Sequence, residues 1–120
     1  MELNIKTKSK GNIHILDVQG EIDLYSSTML RDYIFTTIKQ PHPKILIVEL
    51  SKVTYIDSSG IATLVEGLQL ANEYDTRFKI AGLSQIVLEV FQLVRLERVF
   101  DIYPTEEEAL KASQEIEDRS

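Results

Sequence analysis

A chain of 120 residues, 43% of them hydrophobic and none of them cysteine, has the size of one domain held together by packing; disulfides, thiolate chemistry and cysteine-ligated zinc are excluded. The formal net charge of −6, with Lys and Arg scattered and no basic run, argues against nucleic acid or an anionic membrane as a partner. The opening "MELNIKTKSKGN" lacks the apolar core of a signal peptide, and nowhere do about 18 apolar residues run together as a membrane span requires, so the expected location is the cytoplasm.

Leu3, Ile5 and Thr7 alternate, "KGN" at Lys10 to Asn12 reads as a turn, and Ile13, Ile15, Leu16 and Val18 follow, which predicts a hairpin ended by Gly20. Ser26 and Ser27 are placed to cap a helix with Leu30, Ile34 and Ile38 on one face and Tyr33 close to it. That helix has to stop before "PHP", because Pro41 and Pro43 cannot continue it. The run "KILIVEL", Lys44 to Leu50, is almost continuously apolar, as a central strand covered on both faces must be. Further on, Ile61, Leu64, Val65, Leu68 and Ala71 recur at helical spacing. Phe78 to Ala81 reads as a short strand left through Gly82, Ser84 to Val94 as a helix with Val87, Val90, Phe91 and Val94 inward, and "VFDIY" as a last strand. Thr105 and Glu108 form a capping box for a final helix whose acidic first turn suits the helix dipole; residues 114–120 are expected to fray.

After the hairpin, helix and strand alternate, so the sequence predicts a single α/β domain over residues 1–120, with a mixed, mostly parallel β-sheet and about four α-helices. Gly67 stands inside the second helix at a cost of about 1 kcal/mol against alanine, which points to close approach by a neighbour, from the core or from a partner.

The chemistry concentrates in "VTYIDSSGIATLVEGL", Val53 to Leu68, where Asp57, Ser58 and Ser59 stand in series between a strand pattern and a helix pattern. One cap is enough for a helix, and either Asp57 or Ser58 suits the role. In an open α/β sheet the loops at the carboxyl ends of the strands are also where ligands and partners meet the fold. A catalytic serine needs a base beside it, and of the two histidines His14 falls within a strand and His42 between two prolines. Neither G-x-S-x-G nor a phosphate-cradling glycine loop occurs, and Asp23, Asp57 and the glutamates lack the spacing of a calcium loop. The expectation is therefore no enzyme, no cofactor and no metal. What an exposed serine can still do is accept a phosphate, whose charge the helix N-terminus tolerates and whose repulsion, next to Asp57 and also near Asp23 if the loop after the second strand lies alongside, falls on a bound partner.

The same stretch resembles the signature of STAS-domain anti-sigma factor antagonists, an apolar strand, then D-S-[ST]-G, then an apolar helix. "VQGEIDLYSSTMLRDYI" is similar to the family's G-E-[LI]-D segment and first helix, and "FKIAGLSQIVLEVFQLVRLERVFDIYPTEEEAL" to its closing elements, so the likeness covers nearly the whole chain. The resemblance implies a phosphoacceptor at Ser58, with Ser59 a minor candidate, and partner contacts by Asp23, Asp57, Ser58, Ser59 and Gly60. It implies a bacterial, cytoplasmic regulator without activity of its own. Unphosphorylated, it binds an anti-sigma factor that is also a serine-protein kinase, which frees the sigma factor. Phosphorylation of Ser58 ends that binding, and a PP2C-type serine phosphatase restores it; ATP and magnesium belong to the kinase. Two departures from the family pattern are Ala62 in "SGIAT", where glycine is common, and "VRL" at Val94 to Leu96 in place of T-G-L. The alternative within the same resemblance is a STAS scaffold subunit of a signalling or lipid-transport assembly, in which the serine is never modified.

Overall fold

In the computed structural model, which describes the backbone of residues 2–119 and the side chains of residues 2–116, β1 (Asn4–Lys10) and β2 (Ile13–Ile22) form the expected antiparallel hairpin. Gly20 does not end it. Its φ of +115° and the register shift beside it mark a bulge, after which β2 continues to Ile22. Helix α1 (Ser27–Lys39) buries Leu30, Ile34 and Ile38 and stops before Pro41. Tyr33, expected close to that face, lies at its border and stays partly exposed. The central strand β3 (Ile45–Ile56) is longer than its apolar run: twelve residues reach as far as the residue before Asp57.

Next come α2 (Ser58–Glu73), β4 (Arg77–Ala81), α3 (Gln85–Leu93), a 3-10 turn at Leu96–Arg98, β5 (Asp101–Tyr103) and α4 (Glu106–Arg119). On α2 the deepest positions are Gly60, Thr63, Leu64, Gly67 and Ala71, with Ile61, Val65 and Leu68 on the flanks. On α3, Val87 and Phe91 point inward as expected, but Val94 points out. The helix has ended at Leu93, and Arg95 takes a left-handed φ of +61° that turns the chain away. The last strand keeps only "DIY" of the predicted "VFDIY"; Phe100 is buried ahead of it and Val99 is exposed. The Thr105 hydroxyl accepts from the Glu108 amide at 3.1 Å, the first half of the capping box. The backbone of α4 is helical to Arg119, and the tail expected to fray falls largely on residues 117–120, outside the described side chains.

The sheet runs β1-β2-β3-β4-β5, antiparallel at the hairpin and parallel elsewhere. Three successive crossovers step in one direction, so a single handedness puts α1, α2 and α3 on one face. There they enclose the main core with Leu16, Val18, Leu46, Val48 and Ile80. The opposite face carries Ile13, Ile15, Ile45, Ile47 and Ala81, covered by α4 through Ala109 and Leu110. That face also holds Lys79, 1% exposed, whose ammonium donates to the Tyr103 hydroxyl at 2.8 Å, lies 3.6 Å from Asp101 Oδ2 and sits over the Tyr103 ring.

Two dimensions of this frame matter for the site. β4 pairs with β3 only over Ile45 to Glu49, so from Leu50 to Ile56 the long strand keeps β2 alone as its neighbour. Gly67 is explained by the core: a Cβ there would lie 2.9 Å from Ile34 Cγ2 and 3.2 Å from Phe78 Cε2, so the missing side chain is what lets α2 settle between α1 and β4.

Candidate functional site

Ile22 and Ile56 are the last residues of β2 and β3 and lie opposite each other, so Asp23 and Asp57 leave the sheet side by side. The Asp57 amide donates to the Ile22 carbonyl at 3.1 Å, which carries the pairing one residue beyond the strands. Asp57 is extended, with φ −108° and ψ −173°, and its Oδ1 accepts from the Ser59 amide at 2.9 Å and the Gly60 amide at 3.2 Å. It is therefore the N-cap, and α2 opens at Ser58. The apparent redundancy of Asp57, Ser58 and Ser59 disappears. Ser58 is exposed, and its hydroxyl makes no hydrogen bond to another described residue. Ser59 is half-buried. Gly60 faces inward, where a Cβ would stand 2.6 Å from Ile22 Cγ2 and 2.7 Å from Ile56 Cγ1, so its part is to seat the helix on the strand ends.

The second oxygen of Asp57 reaches the other loop, accepting from the Leu24 amide at 3.1 Å. That loop is organised by Asp23, whose Oδ1 accepts from the Tyr25 and Ser26 amides, both at 2.9 Å. Ser26 occupies the N-cap position of α1 without capping it. Its hydroxyl instead accepts from the Asp23 amide at 2.9 Å and donates to the Glu21 carbonyl at 2.7 Å. The Ser26 amide, helped by the Ser26 hydroxyl and the Tyr25 amide, holds the Asp23 carboxyl below its ordinary value of 3.8. The depressed Asp23 carboxyl and the capping Asp57 thus stand next to a serine whose hydroxyl is free.

Around them stands an apolar collar that the sequence pattern did not reveal: Leu24, Tyr25, Met29 and Tyr55 are 65%, 88%, 44% and 46% exposed. None belongs to a core periodicity, and that was the available signal. Leu3, Tyr25 and Met29 also line an open hollow of about 420 Å³ together with Asp23 and Ser26. No histidine stands with Ser58. His14 pairs with Leu46 near the start of the parallel strands, and the His42 ring contacts the Tyr74 carbonyl beyond the far end of α2. Among the described residues, no group of three or more His, Asp or Glu side chains is placed to hold a metal ion, and no helix is long and apolar enough to cross a membrane.

A family model described as STAS domain matches residues 4–109. The chain belongs to the STAS domain family. This STAS domain is 28% identical over 102 residues to the anti-sigma-B factor antagonist of Staphylococcus aureus, a match covering 85% of this chain and 94% of the relative. It is equally similar to the anti-sigma-B factor antagonist of Bacillus subtilis, of which it covers 92%. Among solved structures, that of an anti-sigma factor antagonist from Mycobacterium paratuberculosis superimposes with a TM-score of 0.84 at 22% identity, over 92% of this chain and 93% of that one; this likeness concerns the fold. In this STAS domain the paired ends of β2 and β3 present Asp23, Asp57 and Ser58 together.

Proposed function

We propose that this STAS domain is an anti-sigma factor antagonist whose binding to an anti-sigma factor with serine kinase activity is ended by phosphorylation of Ser58. The observation that carries the reading is the free, exposed hydroxyl at the first turn of α2, flanked by Asp23, Asp57 and an apolar collar. The names of the curated relatives support the class of partner.

In the unmodified state Leu24, Tyr25, Met29 and Tyr55 offer apolar area, and Asp23, Asp57 and the serines offer polar contacts, to one partner surface. Aromatic side chains of this kind anchor interfaces once their surroundings exclude water. Transfer of the γ-phosphoryl group from the partner's ATP forms a bond from Ser58 Oγ to phosphorus and releases ADP, while the hydroxyl proton passes to a base on the kinase. The product carries about 1.5 to 2 additional negative charges. The amides and dipole at the start of α2 tolerate that charge, so the fold persists. The partner meets it together with Asp23 and Asp57, and like charges brought together at an interface cost several kcal/mol. Hydrolysis by a PP2C-type serine phosphatase would restore the hydroxyl and the binding surface.

The test is to map phosphate on the protein from its own cells under growth and stress, recover the kinase with the Ser58→Ala form, and titrate it with wild type and Ser58→Asp. The expected result is phosphate on Ser58 rather than Ser59 and binding weakened about a hundredfold by Ser58→Asp, as like-charge contact requires. Equal binding by Ser58→Asp sinks the switch. Serines unmodified in every condition would assign the domain to a fixed place in a signalling or lipid-transport assembly.

A further inference from the structure

Helix α3 turns an apolar side to solvent. Its inner face buries Val87 and Phe91, yet Ile86, Leu93 and Val94 are 57%, 83% and 51% exposed, and Val99 beyond the turn is 53% exposed. Ile86, half-buried Val90, Leu93 and Val94 fall at i, i+4, i+7 and i+8, which makes one continuous stripe. Glu89 is the only charge between Gln85 and Leu93. Single exposed apolar residues are ordinary, whereas a stripe along a helix marks a contact surface.

The stripe is separate from the Ser58 site. β4 delivers the chain to the end of the sheet that carries Ser58, and α3 runs from there back to the end where β5 begins beside β4. Nine residues of helix put Leu93, Val94 and Val99 about 14 Å from that level. A partner centred on Ser58 leaves them uncovered.

The charges flanking the stripe are complementary to themselves. Glu89 lies in the middle of the helix, and Arg95 and Arg98, with Glu97 between them, follow its carboxyl end; neither arginine side chain forms an ion pair with another described residue. We propose that a second copy of this chain docks here, the two α3 helices antiparallel about a two-fold axis beside Leu93. With the axis at the level of Gln92, one residue from Leu93, Val90 meets Val94, Glu89 meets Arg95, and Leu93 lies close to its own counterpart. The helix dipoles oppose favourably, and the contact is closed, as a two-fold interface must be. The two Ser58 surfaces face opposite ends of the dimer and stay open. This inference does not rest on the phosphorylation switch.

The test is sedimentation velocity on the full chain across a concentration series. The expected result is reversible dimerisation that Leu93→Glu weakens about a hundredfold, since it sets two carboxylates against each other close to the axis. Glu89→Arg and Arg95→Glu should each weaken the dimer, and the double variant should recover it. Circular dichroism verifies that the surface variants remain folded. A monomer at every concentration overturns the proposal, as does a dimer indifferent to Leu93→Glu. So does a Leu93→Glu protein that self-associates normally but loses a different protein partner.

Discussion

Leu24 and Asp57, 33 residues apart in the chain, are joined by a hydrogen bond from the Leu24 amide to Asp57 Oδ2 at 3.1 Å. The carboxylate that caps α2 therefore also fixes the loop bearing Leu24 and Tyr25. Capping, loop position and the aim of the apolar collar depend on one side chain, and the neighbouring serine is left without a structural duty.

Replacing Asp57 by Ala should cost about 1–2 kcal/mol of stability, the usual loss of an N-cap, while Ser58→Ala should stay within about 0.5 kcal/mol. Urea unfolding of the two variants measures this. Equal losses would mean that the Ser58 hydroxyl shares the capping.

Gly60→Ala should destabilise by about 1–3 kcal/mol although alanine is the better helix former, because its Cβ would press on buried, β-branched Ile22 and Ile56. Gly67→Ala should do the same more mildly against Ile34 and Phe78. A rise in thermal midpoint for Gly60→Ala would show that α2 can lift off the strand ends freely.

The buried Lys79 gives an asymmetric expectation. Tyr103→Phe removes the acceptor of its ammonium and should cost about 1–3 kcal/mol, whereas Lys79→Met removes the buried charge and fills similar space, and should be neutral or stabilising. Chemical denaturation compares them, and a larger loss for Lys79→Met than for Tyr103→Phe contradicts this account.

Asp23 has a depressed carboxyl value in the folded loop, so its contribution is present above the unfolded value near 3.8 and is lost as pH falls through the lower folded value. The Tyr25 and Ser26 amide resonances should therefore titrate with a midpoint below 3.8. In Asp23→Asn that titration should vanish. Movement centred above 3.8 would mean that these amides do not stabilise the carboxylate.

Much of this was legible in the sequence for physical reasons that can be named. The continuous apolar run of β3 and the four-residue spacing of Leu30, Ile34 and Ile38 are burial patterns, and burial is what the fold satisfies. Gly20 misled because a glycine in a strand pattern marks an end or a bulge equally well, and the register shift that decides between them is a property of the pair of strands. Val94 misled because helical periodicity was extended one residue past the point where Arg95 turns the chain. At the site, the aspartates and serines were visible as residue types, and their division of labour was not. It depends on Asp57 lying one step beyond a strand end paired with another, which is a tertiary fact. The collar was invisible because Leu24 and Tyr25 look like loose apolar residues until the loop that holds them out is drawn.

The overhang of β3 past Glu49 separates two tasks along one strand. Its first residues are locked between β2 and β4 and maintain the architecture, whereas its last seven belong to a two-stranded ribbon whose outer residues touch little else. Exposed positions such as Tyr55, Leu24 and Tyr25 can then change at small cost to stability. A lineage can re-specify its partner by rewriting the rim of the ribbon while the five-stranded base stays the same.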